Sequence, residues 1–192
     1  IVFYLLEGDN PNTMGHLTTA EKWQTAFFMS VSSRLAGFTL FDIHEMMSAT
    51  VLMVMMFMFI GAAPVSTGGG IRTTTVGLLL YSLWTWVRGR KHVVLFHKQV
   101  KADCLVKASN VFTLAILLTF LTALLVFLLE PSNFNFEDAL FESVSAFSTV
   151  GFSMGLTNEW NTPCKIVLMI AMFIGRIGVM TLAVAFATSS DK

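Results

Sequence analysis

Residues 111–129, VFTLAILLTFLTALLVFLL, are 19 consecutive residues without a charge. As a helix rising 1.5 Å per residue they reach roughly 28 Å, about the thickness of a bilayer's hydrocarbon core. Lipid offers no hydrogen bonds, so spanning backbone must satisfy its own polar groups, as helices and closed barrels do. Glu130-Pro131 stops the run. Residues 166–187 also have spanning length, but carry Arg176 near the middle. A third run covers 43–63, is interrupted by PVSTGGG, and resumes as IRTTTVGLLLYSLWTWV. It reads as a broken helix. Charged residues are 12% of the chain, against about 25% in soluble domains. The fold class expected is an all-α membrane protein.

Little points to catalysis. Cys104 and Cys164 lack metal-ligand spacing, and the four histidines are scattered without carboxylate partners. No GxSxG, HExxH or GxxxxGK[ST] pattern occurs, so no enzyme and no bound cofactor are expected. Zero net charge gives no reason to expect nucleic acid. Local charge is more informative. Arg88, Arg90, Lys91, Lys98, Lys101 and Lys107 crowd one connection against a single acid, Asp103, which assigns it to the cytoplasm. Glu130, Glu137, Asp138 and Glu142, with Glu7, Asp9 and Glu21, then belong outside. Trp84 and Trp86 fit a cytoplasmic aromatic belt, and Trp23 and Trp160 an outer one.

The chain also matches itself. Shifted by 114 residues, Gly37-Phe38 falls on Gly151-Phe152, and Met58-Phe59-Ile60-Gly61 on Met172-Phe173-Ile174-Gly175. Shifted by 113, Ala26, Phe28, Ser30, Val31 and Ser32 fall on Ala139, Phe141, Ser143, Val144 and Ser145. One inserted residue near the glycine reconciles the registers. Each copy reads as spanning helix, outer loop, short helix, glycine turn and spanning helix. The first lacks most of its leading helix, so the chain is expected to begin partway through a larger protein. Both copies keep one orientation, related by an axis along the membrane normal.

The short helix FEDALFESVSAF cannot cross a bilayer, which leaves the non-helical STVGFSMG at membrane depth. Backbone is tolerated there when it is buried in protein or lines a watery path. A cation pathway supplies such a path, because carbonyl oxygens can replace an ion's hydration shell. The segment GAAPVSTGGGIRTTT puts a proline and three glycines within the third span, which suits a movable obstruction. Arg176 follows Gly175, the counterpart of Gly61, where the other copy breaks. An arginine at that depth faces the protein interior and raises a barrier to cations.

At SVSSRLAGFTLFD, GAAPVSTGGGIRTTT, FESVSAFSTVGFSMGL and MFIGRIGVMTL the sequence resembles the Trk/Ktr/HKT superfamily of potassium transporters, most of all the bacterial Ktr-type membrane subunit. The resemblance implies tandem helix–pore-loop–helix repeats around a pseudo-fourfold ion pathway, with two of four repeats present here. Residues 1–89 are then the third repeat, broken at 62–73; 90–105 the cytoplasmic connection; and 106–192 the fourth repeat. By position, Leu35, Ala36, Gly37 and Phe38 with Thr149, Val150, Gly151 and Phe152 form the filter, whose backbone carbonyls ligate K⁺. Leu35 departs from the threonine expected there. Ser66, Thr67, Gly68, Gly69, Gly70 and Arg176 form the gate. The implied function is K⁺ uptake, with Na⁺ as an alternative ion, across a bacterial inner membrane. A homodimer and cytoplasmic nucleotide-binding regulatory subunits are implied as partners. Alternatives are a tetrameric-type cation channel, disfavoured by unlike repeats in one chain, and a non-transport membrane scaffold, which leaves duplicated glycine turns without purpose.

Overall fold

The computed structural model of the 192-residue chain describes residues 1–61, 63, 68–89, 93–95, 98–129, 135–158 and 160–178. Among these are seven α-helices: α1 (Val2–Glu7), α2 (Thr19–Leu35), α3 (Ser48–Phe59), α4 (Thr73–Val87), α5 (Ala102–Leu129), α6 (Phe136–Ser148) and α7 (Thr162–Ile177). A 3-10 turn, Ile43–Glu45, precedes α3. The expected helical class needs one addition. Two-residue strands, β1 (Val94–Leu95) and β2 (Lys98–Gln99), pair antiparallel in the basic connection. Tyr81 Oη donates to the Val94 carbonyl at 2.8 Å and ties this hairpin to α4.

Only α5, with 28 residues, is long and apolar enough among the described helices to cross a membrane alone. Its buried positions are Ala108, Ala115, Thr119, Ala123 and Val126, one seam of small residues. Lipid is as apolar as leucine, so helices in it associate through close packing, which small residues permit. The Thr119 hydroxyl is satisfied inside the helix by the Ala115 carbonyl at 2.8 Å. Leu117, Phe120, Leu121 and Leu128 lie off the seam and are exposed.

Both short helices start with a carboxylate three residues beyond the N-cap. Glu21 accepts from the Thr18 N–H at 2.8 Å, and Asp138 from the Asn135 N–H at 3.0 Å, each relieving an orphan donor of the first turn. The helix α6 then runs through the middle of the molecule, packed by α3, α5 and α7. Ten of its thirteen residues are buried, Phe141 and Phe147 among them. Phe136 anchors its start edge-on to Phe120 and Phe127 of α5, at 5.9 and 5.8 Å.

Two helix bounds are corrected, and three residues expected on the outer side are buried. Asp138 caps α6, Glu142 accepts hydrogen bonds described below, and Trp160 packs with Ala139, Cys164 and Leu168. Of the 166–187 run, residues 179–187 lie outside the described ones; α7 starts earlier, with Pro163 in its first turn, and ends at Ile177, followed by Gly178 at φ 88°. Arg176 therefore lies in the last helical turn, where the helix dipole favours a cation. The 43–63 run yields a helix of only 12 residues.

Enlarging the seam should be costly. Ala123→Phe in the full-length protein is expected to lose about 1–3 kcal/mol through overpacking, while Leu121→Ala on the exposed face stays within about 0.5 kcal/mol. Thermal unfolding in detergent checks both.

Candidate functional site

The two short helices end 113 residues apart, α2 at Leu35 and α6 at Ser148. The glycines that follow are 114 apart, so the extra residue lies between Ser148 and Gly151. After α2, Ala36 keeps a right-handed backbone at φ −88°, and Gly37 turns to φ +67°. After α6, Thr149 takes φ 55° and ψ 36°, Val150 follows, and Gly151 turns to φ +92°. Thr149 is the one non-glycine with positive φ among the described residues. For a β-branched side chain that conformation costs about 1–3 kcal/mol and persists where its surroundings hold it.

The turns touch each other, backbone to backbone. A Cβ placed on Gly37 would lie 2.6 Å from the Val150 carbonyl oxygen and 3.3 Å from Gly151 Cα. One placed on Gly151 would lie 3.8 Å from Gly37 Cα. Of the residues expected here, Val150 and Phe152 are buried, Gly37 is half-buried, and Ala36, Phe38 and Gly151 are exposed. Leu35 is the last residue of α2.

Each turn is held to its own short helix by a serine. Ser32 Oγ donates to the Phe38 carbonyl, and Ser145 Oγ to the Phe152 carbonyl, both at 2.6 Å. Two buried carboxylates hold the flanking chain. Glu142 accepts from Ser153 Oγ at 2.6 Å and the Met154 N–H at 2.9 Å. Glu7, at the end of α1, accepts from Asn10 Nδ2, Thr13 Oγ1 and the Met47 N–H at 2.7–2.8 Å. A cavity of about 610 Å³ opens beside the second turn, lined by Glu142, Ser145, Thr149, Gly151, Ser153 and Thr157, among others.

Between α3 and α4, Ile60 and Ile71 form an isolated parallel bridge, the Ile71 N–H donating to the Phe59 carbonyl at 3.3 Å. Gly69 sits under the second turn, its N–H donating to Thr149 Oγ1 at 2.8 Å. A Cβ on Gly69 would lie 3.0 Å from the carbonyl oxygens of both Phe147 and Gly175. Gly70 lies against Ser148. Ser66 and Thr67 of the expected gate fall outside the described residues. Arg176 has an exposed side chain, one residue beyond Gly175, whose backbone abuts the Phe147 carbonyl.

Three contributors were missed as site residues in the sequence. Ser32 and Ser145 had surfaced only as repeat matches, which was the signal available. Glu142 is grouped in the sequence with the outer-side acids, and nothing in its neighbours marks it for burial.

Helices that enclose two touching turns of non-helical backbone define the class: a helical membrane protein built around that backbone. The family follows from comparison. The model for TrkH, a cation transport protein, matches residues 1–192, and the chain belongs to this family, whose members are ion transporters and not enzymes. Ktr system potassium uptake protein B of Vibrio alginolyticus is 40% identical over 97% of this chain and 41% of its own length. The protein of that name from Bacillus subtilis is 37% identical over 100% of this chain and 43% of its own. The crystal structure of the potassium transporter TrkH from Vibrio parahaemolyticus shares the fold, with a TM-score of 0.77 at 20% identity over 96% of this chain and 40% of that one. The chain thus spans less than half the length of these relatives.

Removing the Glu142 acceptor should loosen the segment after the second turn. Glu142→Ala in the full-length protein is expected to cost about 2–3 kcal/mol, because it strands the buried Met154 N–H and a hydroxyl, and Glu142→Gln less. Protease sensitivity and thermal unfolding in detergent test this.

Proposed function

We propose that the whole protein takes up K⁺ across the plasma membrane through a carbonyl-lined filter, and that this chain supplies two of its four repeats. The observation that carries this reading is the contact between Gly37 and the Val150–Gly151 backbone. Residues 113–114 apart in sequence meet as two non-helical turns at the C-terminal ends of two helices. Those ends carry partial negative charge, about half an elementary charge each, and converge where a cation would pass. Residues 35–38 and 149–152 are the filter in this reading. Backbone carbonyls of these two turns stand in for water around a dehydrated ion. The names of the relatives, potassium uptake proteins, support K⁺ as the cargo.

The loop between α3 and α4 is assigned the gate. Gly69 reaches the filter turn at Thr149 and packs on the Phe147 and Gly175 carbonyls, so the segment that holds it lies against the filter's inner end. Arg176, exposed beside it, places positive charge that slows cations there. By resemblance, the protein works as a homodimer with cytoplasmic nucleotide-binding regulatory subunits.

Ion flux into liposomes containing the full-length protein tests these assignments. Gly151→Ser, which strains a φ of +92° and adds a hydroxyl, is expected to lower the K⁺/Na⁺ uptake ratio at least several-fold. An unchanged ratio removes Gly151 from the filter. Deleting residues 65–70 should raise flux, and wild-type flux from a folded deletion protein counts against gating.

A further inference from the structure

Ser32 and Ser145 occupy equivalent positions in the two copies, 113 residues apart, and the carbonyls they hold, of Phe38 and Phe152, are 114 apart. The second copy's inserted residue lengthens the spacing from serine to carbonyl from six residues to seven, yet both hydrogen bonds form at 2.6 Å. Both serines are buried, at 2% and 3% exposure. Each bond turns the carbonyl that follows the filter glycine toward its own short helix. The peptide planes between Phe38 and Thr39 and between Phe152 and Ser153, one peptide beyond each filter glycine, are then fixed.

We propose that Ser32 and Ser145 are paired positioning residues that set ion selectivity by locking the outer peptide of each filter turn; this rests on the transport reading above. The Phe38 and Phe152 carbonyls face the short helices, which leaves the carbonyls of 35–37 and 149–151 to meet the ion. A filter discriminates K⁺ from the smaller Na⁺ through the number and disposition of its oxygens. A peptide free to flip would add or withdraw an oxygen and blur that difference.

The two serines do not carry equal weight. Phe152 is 2% exposed and packs in the core with Phe141 and Val144, a second anchor for its turn. The Phe38 side chain is 69% exposed, so its turn relies on the hydroxyl. Ser32 Oγ, moreover, accepts from the Phe38 N–H at 3.1 Å while donating to its carbonyl, clasping both ends of one residue. Loss of Ser32 should therefore do more harm than loss of Ser145.

The test uses full-length protein in liposomes, with K⁺ and Na⁺ uptake measured separately and normalised to folded protein. Ser145→Ala is expected to lower the K⁺/Na⁺ ratio about threefold and Ser32→Ala about tenfold, while K⁺ flux persists. Ser→Thr, which keeps the hydroxyl, should restore the ratio. Where an alanine variant does not fold, Ser→Cys keeps the volume with a weaker donor and should give an intermediate ratio. Wild-type ratios in conducting alanine or cysteine variants overturn the proposal alone. So do threonine variants that fold but discriminate no better than alanine. Wild-type protein that moves neither ion overturns the transport reading, and the proposal with it.

Discussion

Backbone that leaves a helix inside an apolar environment has no water to satisfy it, and this structure is organised around that constraint. At the ends of α2 and α6 the polar groups that a continuing helix would have used find other partners. The Ala36 and Gly37 N–H groups return to the Ser32 carbonyl, and the Thr149 and Val150 N–H groups to Ala146 and Ser145. Serine hydroxyls take the carbonyls beyond the glycines, and a threonine hydroxyl takes the loop's Gly69 N–H. Enclosure supplies the rest. The helix α6, which ends in one such turn, is buried on nearly every side.

The copies reach similar ends by dissimilar means. In the first, Glu7 closes a knot between the end of α1, the following loop and the start of α3. In the second, Glu142 sits on the short helix itself and gathers the chain after the turn. Its counterpart in the first copy under the 113-residue shift is Met29, which is buried in the core. A buried carboxylate serves as a hub in both places, but on unrelated elements.

Much of this was legible in the sequence where the physics is local. A charge-free run of 19 residues announces α5, and Pro64 with three glycines announces that α3 and α4 are separate. The self-match paired the two glycine turns and placed one inserted residue near the glycine. Burial of polar residues was harder to read, since Glu142 and a surface glutamate look alike until the partner twelve residues on is known. The burial of Trp160 was hidden for the same reason: an exposed tryptophan and a buried one differ by their neighbours in space, not their flanks. The end of α7 was hidden because residues beyond Gly178 remain apolar, and hydropathy does not register a reversal of φ.

The added residue between Ser148 and Gly151 has a consequence for how such a molecule can evolve. In an assembly of identical subunits, an insertion appears in every subunit at once, and a change useful at one position is imposed on all. Here the copies share a chain but not a codon, so one can lengthen alone. The one that lengthened gained Thr149, whose hydroxyl grips the loop contributed by its shorter sibling. Two copies joined in one chain can thus take unlike duties.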